Sequence, residues 1–113
     1  MITIYHNPRC GKSRDCLAFI EKSTRNFEIV KYLETPFNTE NLSALITKLN
    51  CNPIDLVRTK EKIWIEHFKN KTLSHDEIIE AMVQFPILIE RPIAVNGNKA
   101  VIARPLELIQ SIL

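Results

Sequence analysis

Cys10 has the surroundings of a reactive thiol. It lies where a predicted strand passes into a predicted helix, so it is close to the unpaired amides and the positive dipole of the first helical turn. Arg9, Lys12 and Arg14 add three positive charges within four residues of it, and His6 ends the strand. Such surroundings lower the pKa of a thiol, and the thiolate is the nucleophile. We therefore expect Cys10 to act as a nucleophile, with His6 as a further donor or cation.

The other two cysteines offer Cys10 no obvious partner. Cys16 falls in the apolar stripe of the predicted helix, which is typical of a buried small hydrophobic residue. Six residues of helix separate it from Cys10 by about 9 Å of rise. That exceeds the Cα separation of about 7 Å that a disulfide tolerates. Cys51 lies between two predicted helices, and the pattern does not place it. A Cys10 nucleophile would therefore need an external thiol, such as glutathione or a small redox protein.

Three arginines stand at predicted element boundaries: Arg58, Arg91 and Arg104. Arg91 and Arg104 each precede a proline, which holds the residue before it extended and so fixes the direction of its side chain. Arginine is the side chain best suited to bidentate binding of an oxyanion. The alternative is that these are surface charges paired with nearby acids, which are Glu61, Glu90 and Glu107.

Length and composition exclude several classes of protein. A chain of 113 residues and 13.1 kDa is expected to form one domain. The net charge of +2 is far from that of a dedicated nucleic-acid binder. Two glycines do not suffice for a phosphate-binding loop, and three scattered cysteines form neither a disulfide scaffold nor a zinc site. No apolar run approaches a membrane span and no leader is apparent, so we expect a cytoplasmic protein with reduced thiols. The sequence does not indicate an oligomeric state, and a monomer is the default expectation.

The predicted elements follow the order β-α-β, then helices only, then β-β-α. The strands are expected at 2–6, 27–33, 93–95 and 100–102, with an Asn96-Gly97 turn between the last two. The helical segments are expected at 11–24, 40–49 with Thr39 as N-cap, 53–58, 63–68, 75–84 with a Ser74–Glu77 capping box, and from Pro105, at the first helical position, to 113.

This order predicts an α/β fold in which a thioredoxin-like mixed four-stranded sheet carries a helical insertion, at about 39–85, between its βαβ and ββα halves. In such a topology the segment before the third strand faces the N-terminus of the first helix. Arg91 is therefore expected to lie over Cys10, and the Arg91–Pro92 peptide bond is expected to be cis.

Several sequence blocks resemble the glutaredoxin-linked arsenate reductases. They are 4–14 (Ile-Tyr-His-Asn-Pro-Arg-Cys-Gly-Lys-Ser-Arg), 32–36 (Tyr-Leu-Glu-Thr-Pro), 56–58 (Leu-Val-Arg), 86–93 (Pro-Ile-Leu-Ile-Glu-Arg-Pro-Ile) and 103–105 (Ala-Arg-Pro). They stand in the family's order, and the match as a whole runs from about residue 2 to residue 113. The first block and the 86–93 block are highly specific.

The resemblance implies a single arsenate reductase domain over 1–113 and a role for each matching residue. Cys10 aligns with the catalytic cysteine, and His6 aligns with the histidine that helps to lower its pKa. Ser13 and Arg14 also match, as supports of the thiolate and the oxyanion. The three arginines that hold the oxyanion in the family align with Arg58, Arg91 and Arg104.

The resemblance also implies a reaction. The Cys10 thiolate attacks arsenate with loss of water, and glutathione then attacks the adduct. Arsenite leaves, and glutaredoxin reduces the remaining disulfide between Cys10 and glutathione. The implied partners are arsenate, glutathione as co-substrate, and glutaredoxin, with no metal or bound organic cofactor.

Two other functions fit part of the pattern. A glutathione-dependent thiol oxidoreductase with a different substrate would keep Cys10 and its reactivity toward glutathione. A regulator with a thioredoxin fold that binds RNA polymerase is the second alternative. Redox-sensing regulators of that kind commonly carry two cysteines separated by two residues, whereas the corresponding run here is Cys10-Gly11-Lys12-Ser13.

Overall fold

A computed structural model describes residues 2–23 and 26–113 of the chain. These residues divide into two compact units. The first unit holds the described residues up to Thr35 together with Arg91–Leu113, and the second unit holds Pro36–Glu90. Across both described ranges, no helix combines the length and the apolar character that crossing a membrane requires.

The first unit is built on a mixed four-stranded sheet with the order β2-β1-β3-β4. The strands are β1 (Ile2–Tyr5), β2 (Phe27–Val30), β3 (Ile93–Asn96) and β4 (Lys99–Ile102). β1 runs parallel to β2 and antiparallel to β3, and β3 pairs antiparallel with β4. This confirms the predicted α/β, thioredoxin-like fold with a four-stranded mixed sheet.

Helix α1 (Gly11–Ser23) links the two parallel strands. The last residue expected for it, Thr24, lies outside the described residues. One side of α1 contributes Cys16 and Ile20 to the core of the first unit, where they meet apolar residues from the sheet and from the C-terminal segment. Those partners are Ile2, Ile4, Ala94, Ala103, Ile109 and Ile112. Burial of this stripe is the main stabilising contribution of the helix.

The second unit is helical. It contains α2 (Thr39–Leu49), α3 (Lys62–His67) and α4 (His75–Gln84), with 3₁₀ turns at Pro53–Leu56 and Pro86–Leu88. The predicted capping box of α4 is present, because Ser74 accepts the amide of Glu77 at 3.2 Å and the Glu77 carboxylate accepts the amide of Ser74 at 3.0 Å. Apolar side chains of α2 and α4 are buried, including Leu42, Leu45, Ile78 and Met82.

Three predicted boundaries are wrong, and hydrogen bonds between residues close in the sequence differ from those expected there. β2 ends at Val30 and not at residue 33, because the Lys31 carbonyl accepts the amides of Glu34 and Thr35 and turns the chain. The N-cap of α2 is Asn38, whose side chain accepts the amide of Asn41 at 2.7 Å, and not Thr39. The 53–58 helix is a 3₁₀ turn that ends at Leu56.

Two details of the C-terminal half also differ from the prediction. Asn96 pairs with Lys99 within the hairpin, so the turn consists of the two residues after Asn96, with Gly97 at a positive φ of 63°. The last segment, Leu106–Ile112, is a 3₁₀ helix, and Pro105 is its N-cap residue and not its first helical residue. The Arg91–Pro92 bond is cis as predicted, and the Arg104–Pro105 bond is cis as well.

Candidate active site

The register of the sheet brings four chain segments to one end of it. Tyr5 pairs with Val30 on one side and with Ile93 on the other, and Ile93 pairs with Ile102. The residues that follow β1, β2 and β4 therefore emerge beside the residues that precede β3. The Ala103 amide donates to the Pro92 carbonyl at 2.9 Å, which holds two of these segments together. This end of the sheet is where Cys10, Arg91 and Arg104 come together.

Cys10 occupies the N-cap position of α1, since its carbonyl accepts the Arg14 amide at 3.0 Å. Its side chain is largely buried, with 8% of the residue exposed. Burial alone would raise the pKa of the thiol, but hydrogen bonds from the main-chain amides of Ser13 and Lys12, together with a hydrogen bond from Arg91 and its charge, lower it to about 7. The lowered pKa favours the thiolate form of Cys10 near neutral pH.

Ser13 joins the thiol to the end of β1. Its side chain is fully buried, and its hydroxyl lies 2.9 Å from His6 Nδ1 while it accepts the Asn7 amide at 3.0 Å. The Asn7 carbonyl in turn accepts the Cys10 amide at 3.0 Å. Ser13 therefore contacts the sulfur through its amide and the histidine through its hydroxyl, which fixes the loop between β1 and α1.

His6 is a neutral member of this network at physiological pH. Burial lowers its pKa, and the positive charges of Lys31 and Arg14 lower it further against the opposite effect of the Ser13 hydrogen bond. Its Nδ1 atom lies within hydrogen-bond distance of the Ser13 hydroxyl and not of the sulfur. The family role of His6 in lowering the pKa of Cys10 stays a prediction, and these contacts would transmit it through Ser13.

Two of the three predicted arginines lie against the sulfur. Arg104 Nη2 is 3.6 Å from Cys10 Sγ, and Arg91 interacts with both Cys10 and the Tyr32 hydroxyl. Burial would lower the pKa of Arg91, but these interactions raise it, so the guanidinium keeps its charge. Three buried N–H groups, at Nε and Nη1 of Arg91 and at Nε of Arg104, have no hydrogen-bond partner among the described residues.

Arg58 belongs to the second unit, where it faces two acids. Its Nε lies 3.2 Å from the Glu61 carboxylate, and its Nη1 lies 3.8 Å from that of Glu90. The pairing of Arg58 with Glu61 was one of the alternatives from the sequence, whereas Glu90 pairs with Arg58 and not with Arg91. The Nη1 group is buried and makes no hydrogen bond within the part of the chain that is described. The oxyanion role of Arg58 stays a prediction.

Comparison with known proteins assigns the chain to a family. Residues 5–112 match the sequence model of the ArsC family. The chain belongs to the ArsC family. An arsenate reductase of Neisseria meningitidis serogroup B is 38% identical over 114 residues, which cover 99% of this chain and 97% of that protein. The uncharacterized protein YfgD of Escherichia coli is 43% identical over 108 residues, covering 94% of this chain and 91% of its own.

A solved structure agrees with this assignment. The arsenate reductase from Vibrio cholerae superposes with a TM-score of 0.93 at 39% sequence identity, and the match covers 99% of this chain and 97% of that one. The resemblance to arsenate reductases inferred from the sequence blocks is thereby confirmed.

The other two cysteines of this ArsC-family chain are poor nucleophiles. Cys16 is fully buried, and burial raises its pKa to about 11. Cys51 belongs to the second unit, and burial together with the negative charge of Asp55 raises its pKa. Of the three cysteines, Cys10 is thus the one whose pKa is lowered toward neutral pH.

Tyr32 is a site residue that the sequence analysis did not single out. It is 1% exposed, it stands in the turn after β2, and it interacts with Arg91 through its hydroxyl. The sequence pattern assigned it to a longer β2, so its place in a turn at the site end of the sheet was not visible. The signal that could have identified it is its position at the head of the 32–36 block. Arg14, by contrast, is exposed, and its Nη1 lies 3.5 Å from the Pro8 carbonyl.

Proposed function

We propose that this chain reduces arsenate to arsenite, with Cys10 as the nucleophile. One observation carries the proposal: a thiol whose pKa is about 7 contacts two arginines that retain buried, unpaired N–H donors. A thiolate alone would be repelled by an anionic substrate, and unpaired guanidinium groups beside it offset that repulsion. They also stabilise the charge that builds on the substrate oxygens during attack. Arsenate is an oxyanion of this kind, and named relatives are arsenate reductases.

The first step of the proposed reaction is a substitution at arsenic. The Cys10 thiolate donates an electron pair to As(V), an S–As bond forms, and one arsenate oxygen leaves as water after taking up protons. Arsenic is not yet reduced at this stage. Arg91 and Arg104 are proposed to bind the remaining oxygens, and Arg58 is proposed as the third oxyanion ligand. Arg14 is proposed as a further support for the oxyanion.

The second step transfers electrons. A glutathione thiol attacks the adduct, the bond between Cys10 and arsenic breaks with its electron pair left on arsenic, and arsenite departs as As(III). Two thiols are thereby oxidised to one Cys10–glutathione disulfide, which balances the two electrons that arsenic gains. Glutaredoxin then exchanges with this disulfide and returns Cys10 to the thiolate.

The position of Cys16 supports our proposal that an external thiol completes the reaction. Cys16, the second cysteine of the first unit, is fully buried in the core and has a raised pKa. It cannot reach Cys10 without unfolding α1. Glutathione and glutaredoxin are the reductants that the family resemblance implies, and we propose them here. The same reaction needs a compartment that keeps thiols reduced, so we propose a cytoplasmic location.

The test is oxidation of NADPH in the presence of arsenate, glutathione, glutaredoxin and glutathione reductase. We expect turnover by the unchanged protein, none by Cys10→Ser, and normal turnover by the matched control Cys51→Ser. Arg104→Ala should lower kcat/KM for arsenate by about 100-fold, the effect of removing one oxyanion donor. Absence of turnover in folded, unchanged protein would refute the proposal.

If the protein does not turn over arsenate, two further measurements distinguish the other two functions. Thiol exchange at Cys10 with glutathione, without arsenate turnover, would indicate a thiol oxidoreductase with another substrate. Co-purification with RNA polymerase subunits, unaffected by Cys10→Ser, would indicate a regulator.

A further inference from the structure

A cavity of about 330 Å³ lies beside the loop that carries Cys10, within the first unit. Residues from two segments line it, 6–9 before the cysteine, and Lys31, Leu33 and Glu34 after β2. Its floor is polar and buried, because His6 and Asn7 are 4% and 3% exposed. Its volume falls at the lower end of the range for sites that bind small molecules.

The rim of this cavity carries charges of both signs. Arg9 and Lys31 are exposed cations, and Glu34 is an exposed anion. Among the residues that the structure describes, none of the three forms an ion pair. The charge of Lys31 acts on His6 strongly enough to lower its pKa, so this cation stands close to the polar floor. Leu33, which is 40% exposed, adds an apolar surface to the cavity.

We propose that this cavity binds the small zwitterionic peptide thiol that attacks the Cys10 adduct, a thiol of the glutathione type. Arg9 and Lys31 bind its carboxylates, and Glu34 binds its ammonium group. The inference rests on the proposed function, because it assumes that an external thiol completes the reaction. It adds the place where that thiol binds and the groups that select it.

The position of the cavity suits attack at Cys10. Three of its lining residues, Asn7, Pro8 and Arg9, directly precede the cysteine, and the Cys10 amide donates to the Asn7 carbonyl at 3.0 Å. A tripeptide held at the rim can therefore present its thiol to the cysteine from the β2 side. The buried N–H groups of Arg91 and Arg104 then stay available to the oxyanion.

The test measures thiol exchange without arsenic. In a Cys51→Ser background, Cys10 is first converted to a mixed disulfide with 2-thiopyridine. The glutathione thiolate attacks the Cys10 sulfur and forms a new S–S bond. The old S–S bond breaks with its electron pair on the sulfur of thiopyridine, which takes up the proton that glutathione lost. The rate is read from the absorbance of the released thiopyridone.

Arg9→Ala and Lys31→Ala should each slow exchange with glutathione about fivefold, the loss equivalent to one surface ion pair of about 1 kcal/mol. Exchange with 2-mercaptoethanol, which carries no charge outside its thiol, should stay unchanged in the same variants. Glu34→Gln should slow glutathione but not N-acetylcysteine, which has no ammonium group. Lys22→Ala, an exposed lysine of α1 outside the cavity, is the matched control and should leave all three rates unchanged.

Equal rates for glutathione in all variants would overturn the proposal. So would a parallel change for charged and uncharged thiols, because it would show that the variants alter Cys10 and not thiol binding. Since no arsenate is present, the result is independent of whether the chain reduces arsenate. Selective loss of glutathione exchange in a protein without arsenate turnover would support the binding site and refute the reductase.

Discussion

Removing the guanidinium group of Arg91 should raise the pKa of Cys10. Two of the interactions that lower this pKa come from Arg91, its hydrogen bond to the sulfur and its charge, while the others come from the amides of Ser13 and Lys12. Arg91→Ala removes the first pair and leaves the amides in place. Burial raises the pKa of the thiol, and fewer interactions then oppose it, so the thiolate becomes less favourable.

The size of the effect follows from the strength of one such interaction. An opposite charge beside a titrating group changes its ionisation equilibrium by a factor of about 10 to 1,000. We take the lower end, because Arg91 is partly exposed and solvent screens its charge. The ratio of thiolate to thiol should fall about tenfold. With the pKa of Cys10 at about 7 in the unchanged protein, its thiolate share at neutral pH should fall from about one half to about one tenth.

The measurement is a pH titration of the ultraviolet absorbance of the thiolate, supported by the pH dependence of alkylation by iodoacetamide. The signal between about pH 5 and pH 8.5 belongs to Cys10, because burial raises the pKa of Cys16 to about 11 and also raises that of Cys51. Circular dichroism of Arg91→Ala shows whether the variant is folded before its titration is interpreted.

Lys22→Ala is the matched control for loss of one positive charge. Lys22 is on α1, and twelve residues of helix separate it from Cys10 by about 18 Å, well beyond the Debye length of about 10 Å. Its titration curve should coincide with that of the unchanged protein. An unchanged curve in folded Arg91→Ala would refute the reasoning, since it would show that the low pKa of Cys10 does not depend on Arg91.

Three further predictions concern stability. The pKa of Cys10 in the folded state is below its ordinary value. In urea titrations, the free energy of unfolding of the unchanged protein, compared with that of Cys10→Ser, should therefore rise by about 1–2 kcal/mol between about pH 7 and pH 9. Below about pH 7 this stabilisation should be lost. Cys16→Ala should lower the free energy of unfolding by about 1–2 kcal/mol, because it opens a small cavity in the core, yet leave turnover unchanged. Asn38→Ala should destabilise the protein by about 1 kcal/mol, and Thr39→Ala by less, because Asn38 and not Thr39 caps α2; the reverse order in urea unfolding would contradict the observed cap.

The order of the elements could be predicted from the sequence because each element has a strong local signal. Ile2–Tyr5 alternates between buried and half-buried residues, and the Ser74–Glu77 pair is a capping box in both sequence and structure. Such signals depend on side chains a few residues apart, which the sequence shows directly. The order of the elements then predicted the thioredoxin-like fold, and the observed four-stranded mixed sheet agrees with it.

Several residues that the sequence misplaced have partners far away in the chain. Thr39 has the residue type of an N-cap, but its hydroxyl donates to Glu80, 41 residues away, at 3.1 Å. Tyr32 has strong β propensity, but the chain turns at Lys31 and brings its ring beside Arg91. Glu90 adjoins Arg91 in the sequence yet faces Arg58. None of these partnerships leaves a trace in the local pattern, so sequence periodicity could not find them.

The unpaired donors of Arg91 and Arg104 explain why the low pKa of Cys10 and the proposed oxyanion site belong together. A buried donor left without a partner costs about 1–3 kcal/mol, and a fold selected for stability alone would pair it with an acid, as Arg58 is paired with Glu61. An acid beside Cys10 would also raise the pKa of the thiol by repelling the thiolate. The lack of a carboxylate paired with Arg91 or Arg104 among the described residues therefore has two consequences. The sulfur stays ionised, and N–H groups stay available for a second anion. The same arrangement predicts that an oxyanion binds more weakly when Cys10 is ionised than in Cys10→Ser, because the two anions share the positive charge of these arginines.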